Sequence, residues 1–352
     1  MTGAEMDTRK PAATVLIATF NRAVMLDDTL ASLRRLRTRP GLAWECIVID
    51  NNSTDHTGAV VERHAADFPV PLRYMFEARQ GRSSALNTGI AAARADVLVF
   101  TDDDVHVSEG WLGAACDALI SPADTSIGFA GGPVRPRWEV PPPAWLDLER
   151  GDLWGTIAIQ DHGAEPFVYD EKRKVPLGAN MAVHRVVFER AGAFRADLGR
   201  TGDGRLVLGQ EVPELLIRAR AAGFRGAYVP AMEVHHHVPA ARLTRSYFRR
   251  WWFGKGVSRS ALERLQPRTD MGIDLRHTPH VLGVPRYMYG SALRDLAGWA
   301  RAVVGRRPAA AFRRQMMVMY FAGYFWARQR AGAWRPVKGR PPSPTPQLKN
   351  SL

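Results

Sequence analysis

The stretch VLVFTDDDV (97–105) decides how this chain is read. Val97, Leu98, Val99 and Phe100 run through Thr101 into three consecutive carboxylates, Asp102, Asp103 and Asp104. A short run rich in Val and Phe reads as a buried strand. Acidic residues at the carboxyl end of such a strand sit where open α/β sheets bind ligands. Like charges this close repel, so something must offset them. A hard divalent cation, Mg²⁺ or Mn²⁺, bridging carboxylate and a substrate diphosphate is one answer. A solvated acidic loop capping the next helix is another, and the triplet alone does not choose.

Working outward, residues 14–20 (TVLIATF) form a first strand, ended by Asn21 and Arg22, with an amphipathic helix to about Arg37. Residues 44–49 (WECIVI) form a second strand that stops at Asp50-Asn51-Asn52-Ser53-Thr54-Asp55, a cluster of turn and N-cap residues. A third strand at 72–76 precedes a helix opened by Gln80-Gly81-Arg82, and the fourth strand is the acidic-tipped one. Strand alternating with helix implies a mostly parallel sheet with right-handed crossovers, an α/β class of Rossmann-like type. Three polar strand tips then converge on one edge, around Thr19-Asn21-Arg22, Asp50-Asn52 and Asp102–Asp104.

Beyond residue 120 the pattern is less regular. Residues 128–137 read as one strand leaving the parallel sheet, and 144–175 as a long mixed segment, functional or mobile. A helix over 210–222 and short strands around His235-His236-His237 follow. Three consecutive histidines on a strand cannot point one way, which excludes a His₃ zinc site.

With 352 residues and 46% apolar content, the chain can bury a large core. Two cysteines, Cys46 and Cys116, give neither a disulfide framework nor metal-ligand spacing, as suits a reducing cytosol. The leader 1–12 has no apolar signal region, and the apolar run 316–327 is shorter than the roughly 20 residues of a spanning helix. Charge is uneven. Residues 241–352 hold 22 Lys/Arg against 4 Asp/Glu, while the rest is net acidic.

No GxGxxG follows the first strand and no GxxxxGK[ST] occurs, so phosphate must be held by a cation or a helix N-terminus such as that near Arg82. The motifs VLIATFNR (15–22), IVIDNNSTD (47–55), QGRSSALNTGI (80–90), VLVFTDDDV (97–105), LGANMAVHR (177–185) and the run from Leu208 to Pro239 together resemble the family-2 glycosyltransferases with the type-A nucleotide-sugar fold. The likeness spans residues 13–260.

That resemblance implies a catalytic unit over 13–240; charge and composition add a helical basic region over 241–334 and disordered ends at 1–12 and 335–352. It implies a nucleotide-diphospho-sugar donor whose base meets Asp50, with Thr19, Asn21, Arg22 and Asn52 lining the same pocket. Asp102 and Asp104 resemble the family's DxD pair. Asp104 would bind Mg²⁺ or Mn²⁺, Asp102 the ribose or a metal-bound water, and Asp103 would belong to the same donor site. Arg82 is expected at the diphosphate, Asn180 near the sugar, and His236 in the metal shell with His235 and His237 facing away. Inverting sugar transfer needs a carboxylate to take the acceptor's proton. The family's acidic pair reads Gln210-Glu211 here, leaving Glu211 as base and Glu214 as second choice. The departure at Gln210 keeps open a catalytically weakened nucleotide-sugar binder. A nucleotidyltransferase would need a glycine-rich basic loop that residues 20–25 do not supply.

The basic end interleaves arginine with aromatics, as in Arg245, Tyr247, Phe248, Arg249, Arg250, Trp251 and Trp252. Amphipathic basic helices suit an anionic membrane surface. Arginine with aromatics also describes nucleic-acid binding, but the enzyme half offers no such module. The expected partners are therefore the donor, a glycan or lipid-linked hydroxyl acceptor and a membrane surface, not nucleic acid. The expected location is the cytoplasm, peripheral on the inner face of the cell membrane. A helical cap with a solvated basic face remains the simpler alternative.

Overall fold

The computed structural model describes residues 10–120, 124–169, 175–198, 209–267 and 274–330. The eight-stranded main sheet has the order β3-β2-β1-β4-β9-β6-β10-β8. In chain order these are β1 (Ala13–Thr19), β2 (Trp44–Asp50), β3 (Leu72–Phe76), β4 (Val97–Asp102), β6 (Ile127–Gly131), β8 (Phe167–Val168), β9 (Asn180–His184) and β10 (Arg225–Tyr228). Strands β3, β2, β1 and β4 are mutually parallel, and β9 runs antiparallel between β4 and β6. A smaller sheet sets β11 (Val234–Val238) between β5 (Val105–Val107) and β7 (Val134–Trp138).

The central strands read as continuous apolar runs because helices cover both faces. Val15, Ile17, Cys46, Val48, Val97 and Val99 point to one side, against α1 (Ala23–Leu33), α2 (Thr57–Ala65) and α4 (Trp111–Ile120). Leu16, Ile47, Ile49, Leu98 and Phe100 point to the other, against α3 (Arg82–Ala92), α5 (Arg185–Ala191) and α6 (Glu211–Ala221). This is the period-two alternation of a pleated strand. The strand expected over 128–137 is two strands: β6 stays in the main sheet, and the chain breaks at Gly132-Pro133 to enter the smaller one as β7.

The remaining helices are α7 (Arg245–Leu265), α8 (Arg286–Val304) and α9 (Pro308–Arg330), with a short hairpin of β12 (His280–Val281) and β13 (Val284–Pro285) before α8. Helices α7 and α9 cross backbone to backbone. A Cβ on Gly256 would lie 2.0 Å from Tyr320 O, and one on Gly323 would lie 2.0 Å from Phe253 O. Phe248 and Trp252 of α7 and Phe312 and Met316 of α9 bury with Leu146, Leu153 and Ile157. The first part of the segment expected to be mobile is thus packed: Trp145 meets Phe312 at 4.6 Å and Phe248 at 5.3 Å between ring centres. Among the described residues no helix is long and apolar enough to cross a membrane. The tail 335–352 and most of the leader lie outside the described residues. Residues 10–12 do not: Lys10 pairs with Asp96 at 2.8 Å, and Ala12 N–H donates to Ala43 O.

Candidate active site

Strand register builds the site. Thr19 lies opposite Asp50, and Ala18 opposite Asp102, so the carboxyl tips of β1, β2 and β4 stand side by side. Two non-glycine residues there take left-handed backbone, Asn21 (φ +52) and Asn52 (φ +68), a conformation asparagine tolerates. Asn21 Oδ1 accepts from Thr54 N–H, and Asn21 N–H donates to Ser53 Oγ, which ties the first turn to the second. Asn52 is exposed at the rim. Asp50 is buried, and its carboxylate accepts from Ser53 N–H and the Tyr74 hydroxyl, each at 2.8 Å.

The acidic triplet splits three ways. Asp103 points inward, where Thr19 Oγ1 donates to it at 2.8 Å and Arg22 at 2.9 Å. Burial pushes its carboxyl up to about 6, against the pull of Arg22 and with the push of Asp104. Asp104 takes the same Arg22 Nη1 at 2.8 Å through Oδ2, while its buried Oδ1 has no hydrogen-bond partner. Asp102 pairs with Arg82 Nη2 at 2.7 Å. The other Arg82 nitrogen reaches Glu211 Oε1 at 3.2 Å, across 129 residues of sequence. Glu211 opens α6, is buried, and its Oε2 is also unpartnered.

On the smaller sheet His236 faces inward, with His235 and His237 on the opposite, more exposed side. Its Nε2 lies 3.5 Å from Asp104 Oδ1 and accepts from Arg242 Nη1 at 3.1 Å. Burial holds the imidazole below its ordinary pKa and so neutral, as a metal ligand requires. The buried, unshared Asp104 Oδ1 fits a divalent cation; for Nε2 of His236 to join it, Arg242 must give up its hydrogen bond. Among the described residues no three His, Cys, Asp or Glu side chains form a cation cage. A cation shared with a diphosphate needs only one or two protein ligands, the rest being phosphate and water.

Other expected residues are engaged by the protein itself. Asn180 is fully buried: Trp111 Nε1–H donates to its Oδ1, and its amide donates to the Pro133 and Met232 carbonyls. It joins the two sheets. Thr19 is buried and its hydroxyl is spent on Asp103, and Arg82 holds two carboxylates. Glu214, the second-choice acid, is engaged by Arg218 at 2.7 Å. Two residues escaped the sequence reading. Asn51 holds the loop before α3, its amide donating to the Glu77 and Arg79 carbonyls and its Oδ1 accepting from Gly81 N–H. Arg242, buried among other arginines of the basic end, gave no signal; Asn51 could have been found from its place in the polar tip of β2.

A model of the glycosyl transferase family 2 matches residues 14–191, just over half of the chain. The chain is a family-2 glycosyltransferase. Its relatives include the succinoglycan biosynthesis protein ExoM of Rhizobium meliloti, 26% identical over 70% of this chain and 73% of that protein. The glycosyltransferase AglE of Haloferax volcanii is 25% identical over 56% of this chain and 60% of its own length. Among solved structures, a mannosyltransferase from Pyrobaculum calidifontis in complex with GDP-Man and Mn²⁺ superposes with a TM-score of 0.60 at 19% identity, covering 91% of this chain and 88% of that one. That likeness assigns the fold of this glycosyltransferase to the type-A class.

Proposed function

We propose that the chain is an inverting, divalent-cation-dependent glycosyltransferase. It would move a sugar from a nucleotide-diphospho-sugar to a hydroxyl of a glycan or lipid-linked acceptor, in the cytoplasm at the inner face of the cell membrane. One observation carries this reading: Arg82 reaches both Asp102 at the tip of β4 and Glu211 at the start of α6, so these two carboxylates stand together. The name of the succinoglycan relative supports a glycan acceptor.

In this reading the acceptor oxygen attacks the anomeric carbon while the bond to the diphosphate breaks on the opposite face. The acceptor's proton passes to Glu211 Oε2, the buried oxygen left without a partner, while Arg82 holds Oε1. Asp50 receives the base, and Asp102 the ribose. Asp103 does not bind donor directly but fixes Arg22 and Thr19 around the cluster. Asp104 and His236 would hold the Mg²⁺ or Mn²⁺ ion, which when bound offsets charge on the departing diphosphate. Thr19, Arg22 and Asn51 keep these side chains in place.

The reading is tested by release of nucleoside diphosphate from a panel of nucleotide-sugars with Mn²⁺ or Mg²⁺. Release is expected, lost on chelation and in Asp104→Ala. Undiminished release without divalent cation would remove the metal. Thermal stabilisation by a nucleotide-sugar with no release at all would make the chain a binder, as the change at Gln210 allows.

A further inference from the structure

We propose that the exposed face of α8, continued by the preceding hairpin tip, docks on an anionic lipid surface. Leu293, Leu296, Val303 and Val304 are 45–85% exposed. Their spacing places them on one face of the helix, with Ala300 between them. Tyr289, one turn before Leu293, donates its hydroxyl to Val281 O at 3.0 Å, which sets the hairpin beside this face. At the hairpin tip Leu282 is 77% exposed. The opposite side of α8, with Met288, Asp295 and Ala302, is buried.

Charge selects the occupant. Arg294 and Arg301 flank the apolar stripe, and Arg306 and Arg307 follow at its end. Among the described residues none of the four pairs with a carboxylate, and Asp295, the only acid between residues 286 and 330, is taken by Arg314. Several exposed arginines of the catalytic half are matched instead: Arg34 pairs with Asp67, Arg39 with Asp117, Arg63 with Asp27 and Arg225 with Asp124. An apolar stripe bordered by unmatched cations is the pattern of a helix lying in the plane of a membrane interface. The segment 331–352 carries Arg335, Lys338, Arg340 and Lys349 and no acid, so like charge argues against its covering this face. A second copy would bring the arginines of both chains to one seam without a carboxylate to meet them.

The sequence pointed to the aromatics of 247–253 and the apolar run 316–327, yet Phe248, Trp252 and Met316 are buried with Leu146, Leu153 and Ile157, and Phe321 and Tyr324 with Val284 and Met288. The outward apolar face belongs to α8. This inference stands independently of the reaction proposed above.

The experiment is co-sedimentation of the full chain with vesicles of phosphatidylcholine alone or with phosphatidylglycerol, at low and high salt. The wild type is expected to sediment with the anionic vesicles only, and less at high salt. Leu293→Glu with Leu296→Glu should abolish this, and Arg294→Glu with Arg301→Glu should weaken it by roughly tenfold or more. Both pairs are on the surface, and unchanged thermal unfolding is the check that they fold. Absence of sedimentation with anionic vesicles overturns the proposal, as does equal binding to neutral ones. Binding that survives the leucine changes but not the arginine changes would mean a polyanion site without insertion. A wild-type dimer that the leucine changes make monomeric, with no vesicle binding, would assign the face to a second copy.

Discussion

Two of the buried clusters of charge among the described residues are built differently. Between α7 and α9, Glu263 accepts from Arg259 at 2.7 Å and from Tyr324 and Arg328 at 2.5 and 3.2 Å, which leaves neither carboxylate oxygen without a donor. At the strand tips Asp104 Oδ1 and Glu211 Oε2 have no donor, although three arginines stand close by. Buried acceptors are normally satisfied, so each one left over needs a reason. The helical cluster leaves no carboxylate oxygen open, only Arg328 Nη1, and holds two helices together. The strand-tip cluster is unfinished, and its open oxygens are those a cation and an acceptor hydroxyl would meet.

The sharpest test of that contrast is Glu211→Gln. Turnover should fall by about 10²–10⁴-fold with donor binding kept, because a base is lost and little else. A variant that turns over normally but unfolds early would make Glu211 a structural residue and break the comparison. Glu263→Ala should do the reverse. Stranding Arg259 and Arg328 without their carboxylate should cost about 3–5 kcal/mol in denaturant unfolding while donor affinity stays the same. Equal loss of donor affinity would mean that the two clusters are coupled.

Next in size is Gly256→Ala. Its new methyl would meet the Tyr320 carbonyl at 2.0 Å and force α7 from α9, for which overpacking costs of about 1–3 kcal/mol are usual. Unchanged stability would show that the crossing is looser than drawn. Smallest is Glu77→Gln. Hydrogen bonds from Arg79 and Thr88 hold the Glu77 carboxyl down to about 2 and so anchor the loop before Arg82. A carboxylate pKa lowered by folding stabilises above its ordinary value of about 4.3 and loses that effect as pH falls toward 2. The variant should therefore be about 1–2 kcal/mol less stable at pH 7, with the gap closing between pH 5 and pH 2. A gap that is constant with pH would assign the effect to shape, not charge.

Much of this was legible beforehand for a physical reason. Asp50, Asp102 and Asp104 follow apolar runs, and an acid that ends a buried strand of a parallel sheet can only lie on its carboxyl edge. Glu211 was legible from its place before an amphipathic helix in family order. Asn180 was not, because nothing local shows whether an amide is spent on Trp111 and two carbonyls or left for a ligand. Which helix of the basic end keeps an apolar face outward was not legible for a related reason. Hydrophobic spacing shows that a helix has an apolar side but not which neighbour covers it, and α7 covers α9 while nothing described covers the stripe of α8.

Residue order by itself determined the α/β alternation, the polar strand tips, the acidic triplet and the charge divide between the two parts of the chain. These depend on neighbours a few positions apart. Only the tertiary structure decided that Arg82 bridges Asp102 to Glu211, that His236 and Arg242 arrive beside Asp104, and which apolar faces are left outward. Such pairings join residues up to 138 positions apart. They follow from how sheet and helices pack in space, which spacing along the chain does not encode.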